Sequence, residues 1–157
     1  MILRNIIYAL ILCGLVILDG CAKPSLEDKL IGAAASGSIP EIKRLLSLGV
    51  NVNCRAHSLN AGTPLIWAVR SRQENALEVL LAAGADPNIK TGTKESPLFL
   101  AYGSDQEDTS GIIKKLISAG ANPDECRPLF EGLPENNPNR IAFEQAIKLR
   151  DLGEKKQ

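Results

Sequence analysis

The chain repeats itself with a period near 35 residues, and self-similarity at that period restricts it to stacked supersecondary units. Leu45-Leu46-Ser47-Leu48-Gly49-Val50-Asn51-Val52-Asn53 aligns with Leu80-Leu81-Ala82-Ala83-Gly84-Ala85-Asp86-Pro87-Asn88 and with Leu116-Ile117-Ser118-Ala119-Gly120-Ala121-Asn122-Pro123-Asp124. The glycines are 35 and 36 residues apart. A second motif keeps phase with the first: Thr63-Pro64-Leu65-Ile66-Trp67-Ala68 aligns with Ser96-Pro97-Leu98-Phe99-Leu100-Ala101 at a spacing of 33.

Each motif reads as a helix boundary. Thr63 and Ser96 are predicted N-caps, followed by proline at the first helical position, where a missing N–H costs nothing. Ser38-Ile39-Pro40-Glu41 and Ser71-Arg72-Gln73-Glu74 read as capping boxes that open second helices. Ile42, Leu45 and Leu46, then Leu77, Leu80 and Leu81, then Ile113, Leu116 and Ile117 each fall on one helical face. Gly49, Gly84 and Gly120 then stop those helices in the left-handed region.

Thr-Pro-Leu opening one helix and Leu-Leu-x-x-Gly-Ala-x-x-Asn closing the next resemble the ankyrin repeat over about Asp28 to Asp124. The resemblance implies an all-α ankyrin-repeat solenoid of about three helix-turn-helix repeats, near 28–55, 56–90 and 91–126, with a C-terminal capping helix within 127–157. Ile66 and Phe99 stand where the family carries His. Asp28-Lys29-Leu30 replaces Thr-Pro-Leu in the first repeat, which reads as an N-terminal cap. The stretch from Asn53 to Thr63 is two residues longer than that from Asn88 to Ser96. The loop from Gly103 to Gly111 is extended. Past Asp124 the pattern decays through Pro128-Leu129-Phe130 to a final predicted helix over about 140–152, because a solenoid end needs closure.

The N-terminus suggests a targeting segment. Arg4 precedes an apolar run from Ile6 to Leu18, 13 residues long and too short to span a bilayer, which takes about 20. Leu18-Asp19-Gly20-Cys21 resembles a bacterial lipobox, although Asp19 departs from it. That resemblance implies a signal peptide over 1–20, diacylation with palmitate-type chains at Cys21, a tether over 21–27 and an outer-membrane lipoprotein facing the periplasm. The alternative is an ordinary secretory signal cleaved after Ala22.

Composition narrows the function. Eighteen Lys+Arg balance 18 Asp+Glu, so the basic excess of a nucleic-acid binder is missing. One His and four Cys leave little for catalysis. The sequence carries no Gly-x-Ser-x-Gly elbow and no phosphate-cradling glycine loop. No catalytic residue, metal site, cofactor or small-molecule substrate is expected. His57 with Cys54 falls short of a zinc site, and Asp105, Glu107 and Asp108 read as a solvated acidic loop. Cys54 and Cys126 sit two repeats apart, about 20 Å by helix stacking, too far for a disulfide. They are expected as free thiols or as bonds to other molecules.

What remains is a protein-binding surface. By the family resemblance its variable positions are Arg55, Leu59, Asn60, Arg70, Ser71, Lys90 and Thr93 on the fingers and helix ends. Three are basic and none is acidic, which predicts either a positive groove for an acidic partner or fingers merely solvated by their charges. Two functional readings follow. One is a lipid-anchored periplasmic binder, such as an inhibitor or immunity protein. The other is an envelope scaffold or stress-protection adaptor without a single dedicated partner.

Overall fold

A computed structural model describes residues 24–55, 62–102 and 108–154. The helices come in antiparallel pairs: α1 (Leu26–Ser36) with α2 (Ile39–Ser47), α3 (Pro64–Arg70) with α4 (Glu74–Ala82), and α5 (Pro97–Tyr102) with α6 (Ser110–Ser118). A fourth, unequal pair follows, α7 (Arg127–Glu131) and α8 (Pro138–Glu154). The first helices stack in one row, α1 on α3 on α5, and the second helices in another, α2 on α4 on α6 on α8. This is an all-α ankyrin-repeat solenoid with a terminal capping helix.

Local chemistry sets most boundaries. Thr63 Oγ1 accepts the Ile66 N–H at 3.4 Å, and Ser96 Oγ accepts the Phe99 N–H at 3.2 Å. Thr63 and Ser96 therefore cap α3 and α5 as their Ser/Thr-Pro pairs predict. The two expected capping boxes do not form. Ser38 makes no side-chain cap bond, while Ser71 ends α3 and Gln73 stands at the start of α4. A tight backbone turn takes their place: Ser38 N–H donates to Ala33 O and Gln73 N–H to Ala68 O, both at 2.9 Å. Gly37 and Arg72 have φ of 71° and 55° in those turns, so the backbone bonds back on itself and no hydroxyl is needed. A complete box opens α1, where Ser25 Oγ accepts the Asp28 N–H at 3.1 Å and the Asp28 carboxylate accepts the Ser25 N–H at 3.3 Å.

At the other ends of α2, α4 and α6 the three repeated glycines have φ of 82°, 87° and 91°. Gly84 N–H donates to Leu81 O and Ala85 N–H to Leu80 O, each at 3.0 Å, which satisfies carbonyls the helix end would leave bare.

The apolar stripes meet between the rows. Ile42, Leu45, Leu77, Leu80, Ile113, Leu116 and Ile117 are buried in one continuous core with Leu30, Leu65 and Leu98. Leu46 and Leu81 are only half-buried. Trp67 packs half-buried against this core, its indole Nε1 close to Gly62, where a Cβ would stand 2.9 Å away.

The C-terminal pair closes the stack with aromatic rings. Phe130 is fully buried, stacked on Phe143 at 4.2 Å between centroids and edge-on to Tyr102 at 5.2 Å. Buried Asn139 of α8 accepts the Thr109 N–H at 2.9 Å, and Thr109 Oγ1 donates to Ala101 O at 2.8 Å. Pro128-Leu129-Phe130 echoes Pro97-Leu98-Phe99, so the cap is a shortened helix pair whose second member is lengthened.

Two stability measurements check these assignments. Phe130→Ala, which opens a cavity in the cap, should lower urea-derived stability by about 3–5 kcal/mol. Gly84→Ala has open space around the new methyl, so its loss, about 1–2 kcal/mol, is the left-handed backbone cost alone.

Candidate protein-interaction surface

The fingers are loops made rigid by asparagine and aspartate. Each begins with a side-chain turn: Asn51 Oδ1 accepts the Asn53 N–H at 2.9 Å, Asp86 Oδ1 the Asn88 N–H at 2.8 Å, and Asn122 Oδ1 the Asp124 N–H at 2.9 Å. The asparagine that ends each motif then reaches the next repeat. Asn53 accepts the Asp86 N–H at 2.9 Å and donates to Gly84 O at 3.4 Å. Asn88 repeats the pattern one unit on, accepting the Asn122 N–H at 2.8 Å and donating to Gly120 O at 3.0 Å. Asp124, in the third unit, ends the series beside Arg127.

The second finger closes as a short hairpin. Thr91 N–H donates to Glu95 O at 2.9 Å and Lys94 N–H to Thr91 O at 3.0 Å, with Lys94 at φ 66°. Inside it, Glu95 Oε2 accepts from Thr93 Oγ1 at 2.8 Å, Arg70 Nη2 at 3.2 Å and Thr91 Oγ1 at 3.4 Å.

Five of the seven expected contact positions lie within the described residues; Leu59 and Asn60 lie outside them. Arg55 Nη1 donates to Lys90 O at 3.2 Å, and Lys90 Nζ pairs with Glu125 Oε1 at 2.5 Å. These three residues are 35 apart and form a column running up the finger tips. Arg70 pairs with Glu95 and sits 5.9 Å over the Trp67 ring. Thr93 lies in the hairpin and Ser71 at the end of α3.

Glu95 and Glu125 interleave with Arg70 and Lys90, so two of the three basic positions are ion-paired within the finger row. Both carboxylates were legible in principle. Glu125 occupies the same repeat phase as Arg55 and Lys90, so stacking alone puts it beside Lys90.

The described cysteines are free and buried. Cys54 Sγ lies 3.9 Å from Glu27 O and Cys126 Sγ 3.8 Å from Ser96 Oγ. Burial, then the nearby Glu27 carboxylate, pushes the Cys54 thiol up to about 11; burial raises Cys126 as well. Among the described residues no three His, Cys, Asp or Glu side chains converge as a metal site. His57, Asp105 and Glu107 lie outside the described residues. Asp108 instead serves a turn, accepting the Ser110 N–H at 2.9 Å.

Stacked helix pairs, the repeated Gly-Ala-x-x-Asn turn and the asparagine clips meet a matching family, described as "Ankyrin repeats (3 copies)", over residues 4–91 and 30–125. The chain belongs to the ankyrin-repeat family. It is similar to the ankyrin repeat and KH domain-containing protein mask-1 of Caenorhabditis elegans, 35% identical over 99 residues, 63% of this chain and 4% of the relative. It also resembles the mitochondrial disaggregase of Bos taurus, 46% identical over 67 residues, 42% of this chain and 10% of that protein. A third relative is zygote-specific protein 3 of Chlamydomonas reinhardtii, 34% identical over 106 residues, 67% of this chain and 27% of the relative. The chain thus spans a tenth or less of the first two relatives.

These eukaryotic relatives overturn the bacterial lipoprotein reading, and with it the signal peptide processing, the lipid on Cys21, the outer membrane, the periplasm and the immunity role. The family match begins at residue 4, inside the 1–20 segment read as a signal peptide, and a four-residue lipobox departing at Asp19 is too short a pattern to outweigh it. Cys21 itself lies outside the described residues. No helix among them is long and apolar enough to cross a membrane.

Two expectations follow. Asn88→Ala should cost about 1–2 kcal/mol for two lost bonds and speed amide exchange at Asn122 while leaving Asp86, held by Asn53, unchanged. The thiol gives a pH dependence: the folded state holds the Cys54 proton more tightly than the unfolded chain, whose thiol ionises near 9.0. Stability is therefore full below pH 9 and falls as pH rises toward 11, and Cys54→Ala should flatten that decline in denaturant titrations.

Proposed function

We propose that this chain is a protein-interaction adaptor whose binding face is the row of fingers with the adjoining ends of the first helices. The observation that carries the reading is the asparagine ladder. It fixes each finger to its neighbour before any partner arrives, so little ordering entropy remains to oppose binding. The side chains held on that face are Arg55, Arg70, Ser71, Lys90 and Thr93, and Leu59 and Asn60 of the first finger belong to the same proposal. Residues 28–126 are the interaction unit and 127–157 its closing cap.

The mixed charge of the face supports an adaptor over a dedicated inhibitor. A single-sign groove steers one complementary partner, whereas interleaved charges discriminate by their spacing. A related repeat in a protein named mitochondrial disaggregase supports the protein-handling side of the same reading.

Affinity capture with the tagged full chain tests it. Reversing Arg55, Arg70 and Lys90 to Glu together should weaken captured partners by about tenfold or more, whereas Lys43→Glu, exposed on the second-helix side, should not. Equal capture by the triple variant, with its circular dichroism unchanged, would move the interface off the fingers.

A further inference from the structure

The first unit has an uncovered side that the later units lack. At the base of each finger Val50, Ala85 and Ala121 share one phase, Asn51, Asp86 and Asn122 the next, and Val52, Pro87 and Pro123 the one after. Ala85, Ala121, Pro87 and Pro123 are buried, whereas the larger Val50 and Val52 are only half-buried. The Asp86 and Asn122 N–H groups each donate to the asparagine one unit back. Among the described residues nothing stands one unit back of Asn51. Leu26 and Leu48, at the same end of the α1–α2 pair, are 44% and 57% exposed. A stack shows these differences where a preceding unit is missing, and a repeat end left uncovered exposes apolar surface that a cap normally closes.

The chain upstream keeps the period. Gly14 stands 35 residues before Gly49, and Leu10-Ile11-Leu12-Cys13-Gly14 aligns with Leu45-Leu46-Ser47-Leu48-Gly49. Ile7 and Leu10 share the phase of Ile42 and Leu45, which are buried, while Tyr8 and Leu12 share that of Lys43 and Ser47, which are exposed. The family match starts at residue 4, one period before Ile39, the first residue of α2. From Gly14 to Leu26, where α1 opens, is 12 residues, against 13 from Gly84 to Pro97, where α5 opens. That spacing leaves room for one finger. Leu18 takes the phase of Asn53 and Asn88, so this junction has no asparagine clip and depends on apolar contact.

We propose that residues 4–20 cover the open side of α1 and α2 in the place of a preceding unit, with Ile7 and Leu10 turned toward the pair and Tyr8 and Leu12 away from it.

A nitroxide on Cys13 tests this in the isotope-labelled full chain carrying Cys21→Ser; Cys54 and Cys126 are buried and stay unlabelled. Neighbouring units are about 10 Å apart, so amide broadening should be strongest at Leu48, weaker at its phase mate Ala83 and weakest at Ala119. Ile7→Asp with Leu10→Asp should abolish the broadening at Leu48 and speed amide exchange across α2 about tenfold or more, leaving α8 unchanged. Tyr8→Asp with Leu12→Asp should alter neither reading. This dependence on register separates docking from a segment that is merely tethered at Pro24, and from one that enters a membrane. An apolar run in solvent or in lipid responds to one pair of aspartates as it does to the other. Equal effects of the two pairs, no effect of either, absent broadening at Leu48, or a purified chain whose mass lacks residues 1–20 would overturn the proposal.

Discussion

A helix of nine residues with one apolar stripe cannot stay folded alone, and every other feature of this chain answers to that constraint. Ile42 and Leu45 are covered only because Leu77 and Leu80 stack beside them, and these in turn need Ile113 and Leu116. Hydrophobic contact is non-directional and would tolerate some sliding of one pair over the next. The asparagine clips remove that freedom. Asn53 and Asn88 each make one donor and one acceptor bond to the following repeat, and only one register satisfies both.

The same register creates the surface. Residues one period apart are brought side by side, so Arg55, Lys90 and Glu125 form a column although they are far apart in the chain. Charge counted residue by residue therefore says little about the field a partner meets. Arg70 and Lys90 look unopposed in the sequence and are paired in the solenoid. Their partners, Glu95 and Glu125, carry no motif.

The ends of the stack show how closure is achieved with few residues. At the start, a capping box at Ser25 and Asp28 opens a longer first helix. At the finish, the motif that opens α5 returns as Pro128-Leu129-Phe130, but its ring is clamped between Tyr102 and Phe143. Buried Asn139 then supplies the acceptor that Thr109 needs at the start of α6. Aromatic residues are only 4% of the chain, so placing three of them together concentrates their burial at the last helix pair.

Helix class, glycine stops and the Thr63 and Ser96 caps were readable from residue order, because each depends on neighbours within about four positions along the chain, and the period was readable because two motifs recur in phase. The apolar stripes were readable for the same reason, although Leu46 and Leu81 are only half-buried and Ile112 is buried without having been named. The Ser38 and Ser71 boxes failed, since a backbone turn that the preceding helix presents outcompetes a hydroxyl, and that depends on how two helices meet. The lipobox reading failed because a four-residue pattern carries little information beside an array of repeats whose relatives are eukaryotic. Pairing of the finger charges and exposure of Phe99 where Ile66 is buried came only from stacking. Those properties belong to residues 25 to 35 positions apart, and their distances in space are set by the packed cores beneath them.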